Sequence, residues 1–152
     1  MTGNALNRMV IAALALIGAL IAVYTLMYSM GFLGQLACGT GGCETVQLWA
    51  KDQGLPVPAA GAIGYTALLI TALLGLQPAF AENRLIPLIL ITAAVIAAGF
   101  TLYLTYLEAY VINAWCRWCI ASAVLVAGIL IATIPEFARL RHGTNGDPPP
   151  GV

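Results

Sequence analysis

The four cysteines of the chain fall into two close pairs, the arrangement a protein uses to trade electrons between dithiol and disulfide. Cys116-Arg117-Trp118-Cys119 is a C-x-x-C motif at the start of an apolar run. Cysteines at i and i+3 share one face of a helix. The unpaired N–H groups of a first helical turn stabilise a thiolate, and Arg117 adds positive charge nearby. Cys116 is therefore expected to be the exposed, more acidic thiol. Cys119, one turn deeper, is expected at or just below the membrane surface, within reach of a lipid-soluble oxidant. The second pair is Cys38-Gly39-Thr40-Gly41-Gly42-Cys43. Its glycines let the sulfurs approach and part at little steric cost, which suits a bond that opens and closes in turn. So small a ring gains little as a structural staple. Binding of a metal by all four cysteines is compatible with the spacing, although an oxidising compartment favours disulfides.

These pairs need elements to hold them together, and composition says where. Of 152 residues 61% are hydrophobic and 8% charged, with no net charge, too little polar surface for a soluble domain. The six basic residues are scattered singly, so no nucleic-acid partner is expected. Apolar stretches of membrane-spanning length run over about 9–33, 59–76, 85–111 and 116–135. They predict an all-α integral membrane four-helix bundle over residues 9–135, its helices packed closely at Gly and Ala. The first span is too long for a cleaved signal peptide, and Gln35-Leu36-Ala37 is a poor lipoprotein signal before Cys38.

Orientation follows from the basic residues beside the spans. Arg8, Arg84, Arg139 and Arg141 flank one side, and Lys51 and Arg117 the other. This places residues 1–8 and a disordered tail, 136–152, in the cytoplasm. The loop 34–58 and the start of span four then lie together outside, in the periplasm if the membrane is a bacterial inner membrane. All four cysteines share that side, where disulfides persist. An electron relay results: a partner reduces the loop pair, the loop pair reduces Cys116–Cys119, and the lipid-side cysteine passes two electrons to an acceptor. A quinone dissolved in the bilayer fits that place, since the chain has no haem or dinucleotide motif.

Several other residues near the apolar edge could line such a site. Glu108, near the end of span three, reads as a proton carrier or gate by the quinone, or as an interfacial carboxylate paired with Arg117. Trp115, Trp118, Tyr106 and Tyr110 form either an aromatic belt or ring walls for a quinone. Ser122, one turn below Cys119, is a hydroxyl donor or a packing residue. His142 belongs to the tail.

The segments Cys38…Cys43-Glu44-Thr45-Val46-Gln47, Gly54-Leu55-Pro56-Val57-Pro58 and Gly61-Ala62-Ile63-Gly64-Tyr65 resemble the first loop and second span of the vitamin K epoxide reductase family. Tyr103-Leu104 and the run Glu108 to Cys119 resemble its third and fourth spans. The resemblance implies a four-helix bundle around ubiquinone or menaquinone, with Cys116 and Cys119 as the active-site pair and Cys119 beside the quinone. It implies that Cys38 and Cys43 are the shuttle pair, with Cys43 forming the mixed disulfide to Cys116. Bacterial members resemble oxidases that regenerate DsbA-like periplasmic proteins. Many carry a fused thioredoxin-like domain, for which this chain has no room, so a DsbA-like or thioredoxin-like partner in trans is implied.

Two positions depart from the family pattern. Many members have serine or threonine six residues after the second loop cysteine; this chain has Trp49, between Leu48 and Ala50. Either another donor holds the quinone carbonyl or the Trp49 indole N–H does. The tyrosine of animal enzymes four residues after the last cysteine is Ala123 here. The expected activity is thus a quinone-dependent, protein-disulfide-generating oxidoreductase, with Cys119, Trp49, Ser122, Glu108 and Trp118 as quinone-side candidates. The alternatives are a thiol-dependent quinone or vitamin K epoxide reductase, and a non-catalytic membrane protein with two structural disulfides or a bound metal.

Overall fold

The computed structural model describes residues 3–38 and 42–144. Among them the order is α1 (Gly3–Ser29), α2 (Cys43–Asp52), α3 (Val57–Leu76), α4 (Leu85–Tyr106) with a π turn (Leu107–Ile112), α5 (Arg117–Ala132) and α6 (Ile134–Thr144), with no strand. Four helical stretches are long and apolar enough to cross a membrane: Gly3–Ser29, Val57–Leu76, Leu85–Ile112 and Arg117–His142. An integral membrane helical bundle is the fold.

The helix ends differ from the expected spans for identifiable reasons. The first span was expected to reach residue 33, but α1 stops at Ser29 because Gly31 takes a left-handed φ of +85°. Phe32 N–H then donates to Met27 O, and Gly31 N–H to Tyr28 O, satisfying the terminal carbonyls. The loop 34–58 contains α2, whose buried stripe is Cys43, Val46, Gln47 and Ala50 at helical spacing. Glu44 in its first turn and Lys51 in its last complement the helix dipole. Residues 136–144 are helical, not a disordered tail: α5 breaks at Thr133, just before Pro135, and α6 continues beyond it. Residues 145–152 and the glycine run 39–41 lie outside the described residues.

In the bundle α1 packs along α3 and against α5, and α4 lies against α5 and α3. Ile11, Ala15, Leu68, Ala72, Leu90, Ala94 and Ile129 form the core. Gly18 leaves room for the ring of Tyr65, whose atoms occupy the space a Cβ there would fill. At one end Arg8 of α1 forms an ion pair with Glu136 of α6, its Nε 2.9 Å from Oε1, and donates to the carbonyls of Gly75 and Ala81. Asn7 donates to the Ala132 carbonyl beside it. The amino terminus, the α3–α4 connection and α6 therefore share one end of the bundle, and the cysteines occupy the other.

Candidate functional site

The cysteine end is built by a reversal of the chain. The π turn of α4 closes at Asn113, a left-handed residue with φ +55°, and Ala114 N–H donates back to Glu108 O at 3.2 Å. π turns of this kind recur at functional sites. The reversal brings Trp115 and Cys116 across the bundle top, where extended Cys116 becomes the N-cap of α5. Its Sγ accepts the Cys119 N–H at 3.3 Å. Helix N-caps are usually hydroxyl or carboxyl oxygens, and a thiol in that place is poised as a thiolate.

The loop pair sits directly on this cap. Cys38 and Cys43 form a disulfide with Cα atoms 6.1 Å apart, whereas Cys116 and Cys119 are free thiols. Cys38, Cys43 and Cys116 belong to one buried cluster with Leu36 and Val46, and Cys119 packs against it. Gly42 N–H donates to the Trp115 carbonyl at 3.0 Å, and a Cβ on Gly42 would stand 2.6 Å from the Ala114 Cβ. Only glycine permits that approach of the loop to the Cys116 segment.

Burial reverses one expectation. Cys116 is fully buried beneath the loop and α2, not exposed, and it is Cys119 that is partly open. The opening is into the bundle. Cys119, Glu108, Trp118, Ser122, Gln47 and Tyr65 border an apolar cavity of about 450 Å³ between α1, α3, α4 and α5, with α2 over its end. Hydrogen bonding from the Cys119 thiol holds Cys116 below the usual thiol range, against burial, which pushes it the other way.

The remaining candidates sort by which way they face. Trp118 lines the cavity, and its indole N–H is buried with no hydrogen-bond partner. Trp115, Tyr106 and Tyr110 are more than half exposed on the outside of the bundle, as belt residues are. Glu108 is 3% exposed and is not paired with Arg117; its Oε2 accepts the Cys116 N–H at 3.2 Å. Ser122 reaches the cavity, but its hydroxyl lies 2.7 Å from the Tyr65 hydroxyl and is already engaged. Trp49 borders a small crevice under α2 and does not line the main cavity beside it.

Gln47 was missed. It is buried, lines the cavity and makes no side-chain hydrogen bond among the described residues. Its signal was its place one turn after Cys43, which counts only once residues 43–52 are known to be helical.

The chain matches the profile of the vitamin K epoxide reductase family over residues 9–134. Enzymes of this family are membrane oxidoreductases that use quinones. The residues present fit such a group: an apolar cavity within the ~300–1,000 Å³ range of ligand pockets ends on a free thiol and an orphaned indole N–H. The match takes in the second and third membrane-spanning helices whole and most of the first and fourth, well over half of the chain, and the chain belongs to the vitamin K epoxide reductase family.

Proposed function

We propose that the protein is a membrane thiol oxidase. It takes two electrons from a thioredoxin-fold protein such as a DsbA-like partner, passes them from Cys38–Cys43 to Cys116–Cys119, and delivers them to a membrane quinone, ubiquinone or menaquinone. The observation that carries this reading is the position of the α5 pair. Cys116 packs against the loop disulfide while Cys119 faces the apolar cavity, so the pair joins a protein-facing redox centre to a lipid-facing one.

The partner's dithiol reduces the Cys38–Cys43 disulfide and leaves oxidised. Cys43 thiolate attacks Cys116 Sγ, the Cys116–Cys119 bond breaks, and the pair of electrons stays on Cys119. Cys38 then attacks Cys43, closing the loop disulfide and releasing Cys116 as a thiolate, a good leaving group because its pKa is low. A closed loop disulfide beside two free α5 thiols is the arrangement expected after this transfer. When bound, a quinone supplies a two-electron, two-proton sink. Gln47 and the Trp118 N–H orient its carbonyl oxygens, and the apolar walls exclude water. We place the cysteine end in the periplasm and both termini in the cytoplasm of a bacterial inner membrane, as the arginine distribution supports.

The test is quinone absorbance followed in detergent, with a reduced thioredoxin-fold protein as donor. Loss of turnover in both Cys119→Ser and Cys38→Ser is expected. Quinone reduction that survives Cys119→Ser, or a wild-type protein that reduces vitamin K epoxide with thiols but leaves protein dithiols untouched, would overturn the reading. Labelling of the loop cysteines in intact, reduced cells by a membrane-impermeant thiol reagent checks the sidedness.

A further inference from the structure

Glu108 stands where three cavities meet. It and Cys119 together border the large apolar cavity, the small crevice under α2, and a lateral cleft of about 300 Å³ between α4 and α5 walled by Thr105, Ala123 and Ala127. It is the one acidic side chain in these walls. A carboxyl at such a place is costly to hold, so its retention calls for a reason. Its backbone carbonyl and its Oε2 both fasten the reversal, through Ala114 N–H and Cys116 N–H. Those bonds need only an acceptor oxygen, which an amide would supply equally well. The carboxyl and the Cys119 thiol line all three of these spaces side by side. The other titratable group bordering this space is the Tyr65 phenol of α3, and the Cys116 thiol at the α5 N-cap is buried behind Cys119. α1 and α2 contribute neutral Thr25 and Gln47, and Arg117 points outward.

We propose that Glu108 is a catalytic residue that takes the proton of Cys119 as the Cys116–Cys119 disulfide forms and hands it to the oxygen of the reduced quinone. The inference rests on the thiol-to-quinone reading above. In the step, Cys116 enters as a thiolate, its proton already released to solvent. The Cys119 S–H bond breaks, the S–S bond forms, and two electrons pass to the quinone. One proton reaches the quinone through Glu108 and the second comes from water. Of the titratable groups bordering these cavities, Glu108 alone accompanies the thiol in all three walls, in a position to carry a proton between the thiol and the cavity.

Redox-difference infrared spectroscopy on quinone-free protein tests this without turnover. Oxidation of the α5 dithiol by diamide, with the loop disulfide closed, should produce the C=O band of a protonated carboxyl. The band should shift in heavy water and be absent in both Glu108→Gln and Cys119→Ala. In turnover, Glu108→Gln should bind a short-chain quinone within about twofold of wild type but reduce it on the order of 10²- to 10⁴-fold more slowly, the usual contribution of a proton-transfer group. In the Cys119→Ser background it should still trap the Cys43–Cys116 bridge. No carboxyl band in wild type, quinone reduction by Glu108→Gln within about threefold of wild type, or loss of bridging in that variant would each overturn the proposal, the last by making the role architectural. A wild-type protein that shows the band yet reduces no quinone would sink the quinone reading and leave Glu108 as the proton acceptor of Cys119.

Discussion

The hydroxyls of Tyr65 and Ser122 lie 2.7 Å apart across the cavity, and Tyr65 also donates to the Ser122 carbonyl at 3.0 Å. With the phenol proton spent on the carbonyl, the serine hydroxyl is left to donate back to Tyr65 Oη. The two residues tie α3 to α5, helices that pack mainly on α1 and α4 rather than on each other. Tyr65→Phe and Ser122→Ala should each cost about 1 kcal/mol of stability, a typical net hydrogen bond. Because Tyr65→Phe already removes the one contact that Ser122→Ala removes, the double variant should cost little more than Tyr65→Phe alone. Unfolding in mixed micelles measures the cycle, and additive losses would show that the pair is not coupled.

The opposite end of the bundle depends on Glu136. Its carboxylate is fully buried between Arg8, itself 2% exposed, and the more exposed Arg139 at 3.5 Å. Removing one partner of a buried pair strands the other charge, at a cost of roughly 3–5 kcal/mol, whereas a half-exposed ion pair is worth about 1 kcal/mol or less. Glu136→Ala should therefore lower the thermal midpoint in detergent far more than Arg139→Ala. Equal effects would mean that the buried pair with Arg8 does not organise this end.

These two contacts mark where the sequence was legible and where it was not. Spans were readable because length and apolarity alone decide what lies in lipid, and the cysteine pairs because their spacing is local. Glu136 was not, since a charged segment after Pro135 looks like solvated tail until Arg8, far away in sequence, is seen to face it. α2 was hidden for another reason. Residues 43–52 are too short and too polar to register as a span, and without a helix there is no way to tell that Gln47 shares a face with Cys43 while Trp49 turns aside. The family pattern drew attention to position 49, and the helical register moves it to position 47.

That register makes a measurable distinction. If Gln47 and Trp118 meet the quinone, Gln47→Leu and Trp118→Phe should each weaken binding of a short-chain quinone by up to about tenfold, the value of one hydrogen bond of ~1.4 kcal/mol. Trp49→Phe, which removes only an N–H outside the main cavity, should bind as wild type does. A binding loss confined to Trp49→Phe would restore that indole as the donor and displace Gln47.

Gly42 controls contact between the two cysteine pairs. Its amide holds the Trp115 carbonyl, and the space for a side chain is taken by Ala114. Gly42→Ala should push the loop off the α5 cap, an overpacking cost of about 1–3 kcal/mol. In the Cys119→Ser background the Cys43–Cys116 bridge should form several-fold more slowly, as peptide mapping without reduction would register. An unchanged bridging rate would show that the loop does not use this contact to reach Cys116.

The low pKa of Cys116 comes first from its neighbour. The Cys119 thiol donates to Cys116 Sγ, backbone N–H groups of the first turn add to this, and burial and the Glu108 carboxylate oppose it. A lowered pKa means that the thiolate is already populated at a pH where an ordinary cysteine is protonated, and is lost only as pH falls through the shifted value. With the loop cysteines changed to serine, thiolate absorbance should reveal one thiol titrating below the usual range. Cys119→Ala removes the leading donor and should move that midpoint upward. Cys119→Ser keeps a hydroxyl that can still donate, and should move it less. The resolution of the Cys43–Cys116 bridge should slow in the same order, because a more basic thiol leaves less readily. A Cys116 midpoint that stays in place or falls when the Cys119 thiol is removed would mean that the helix N-terminus, not the paired cysteine, sets its acidity.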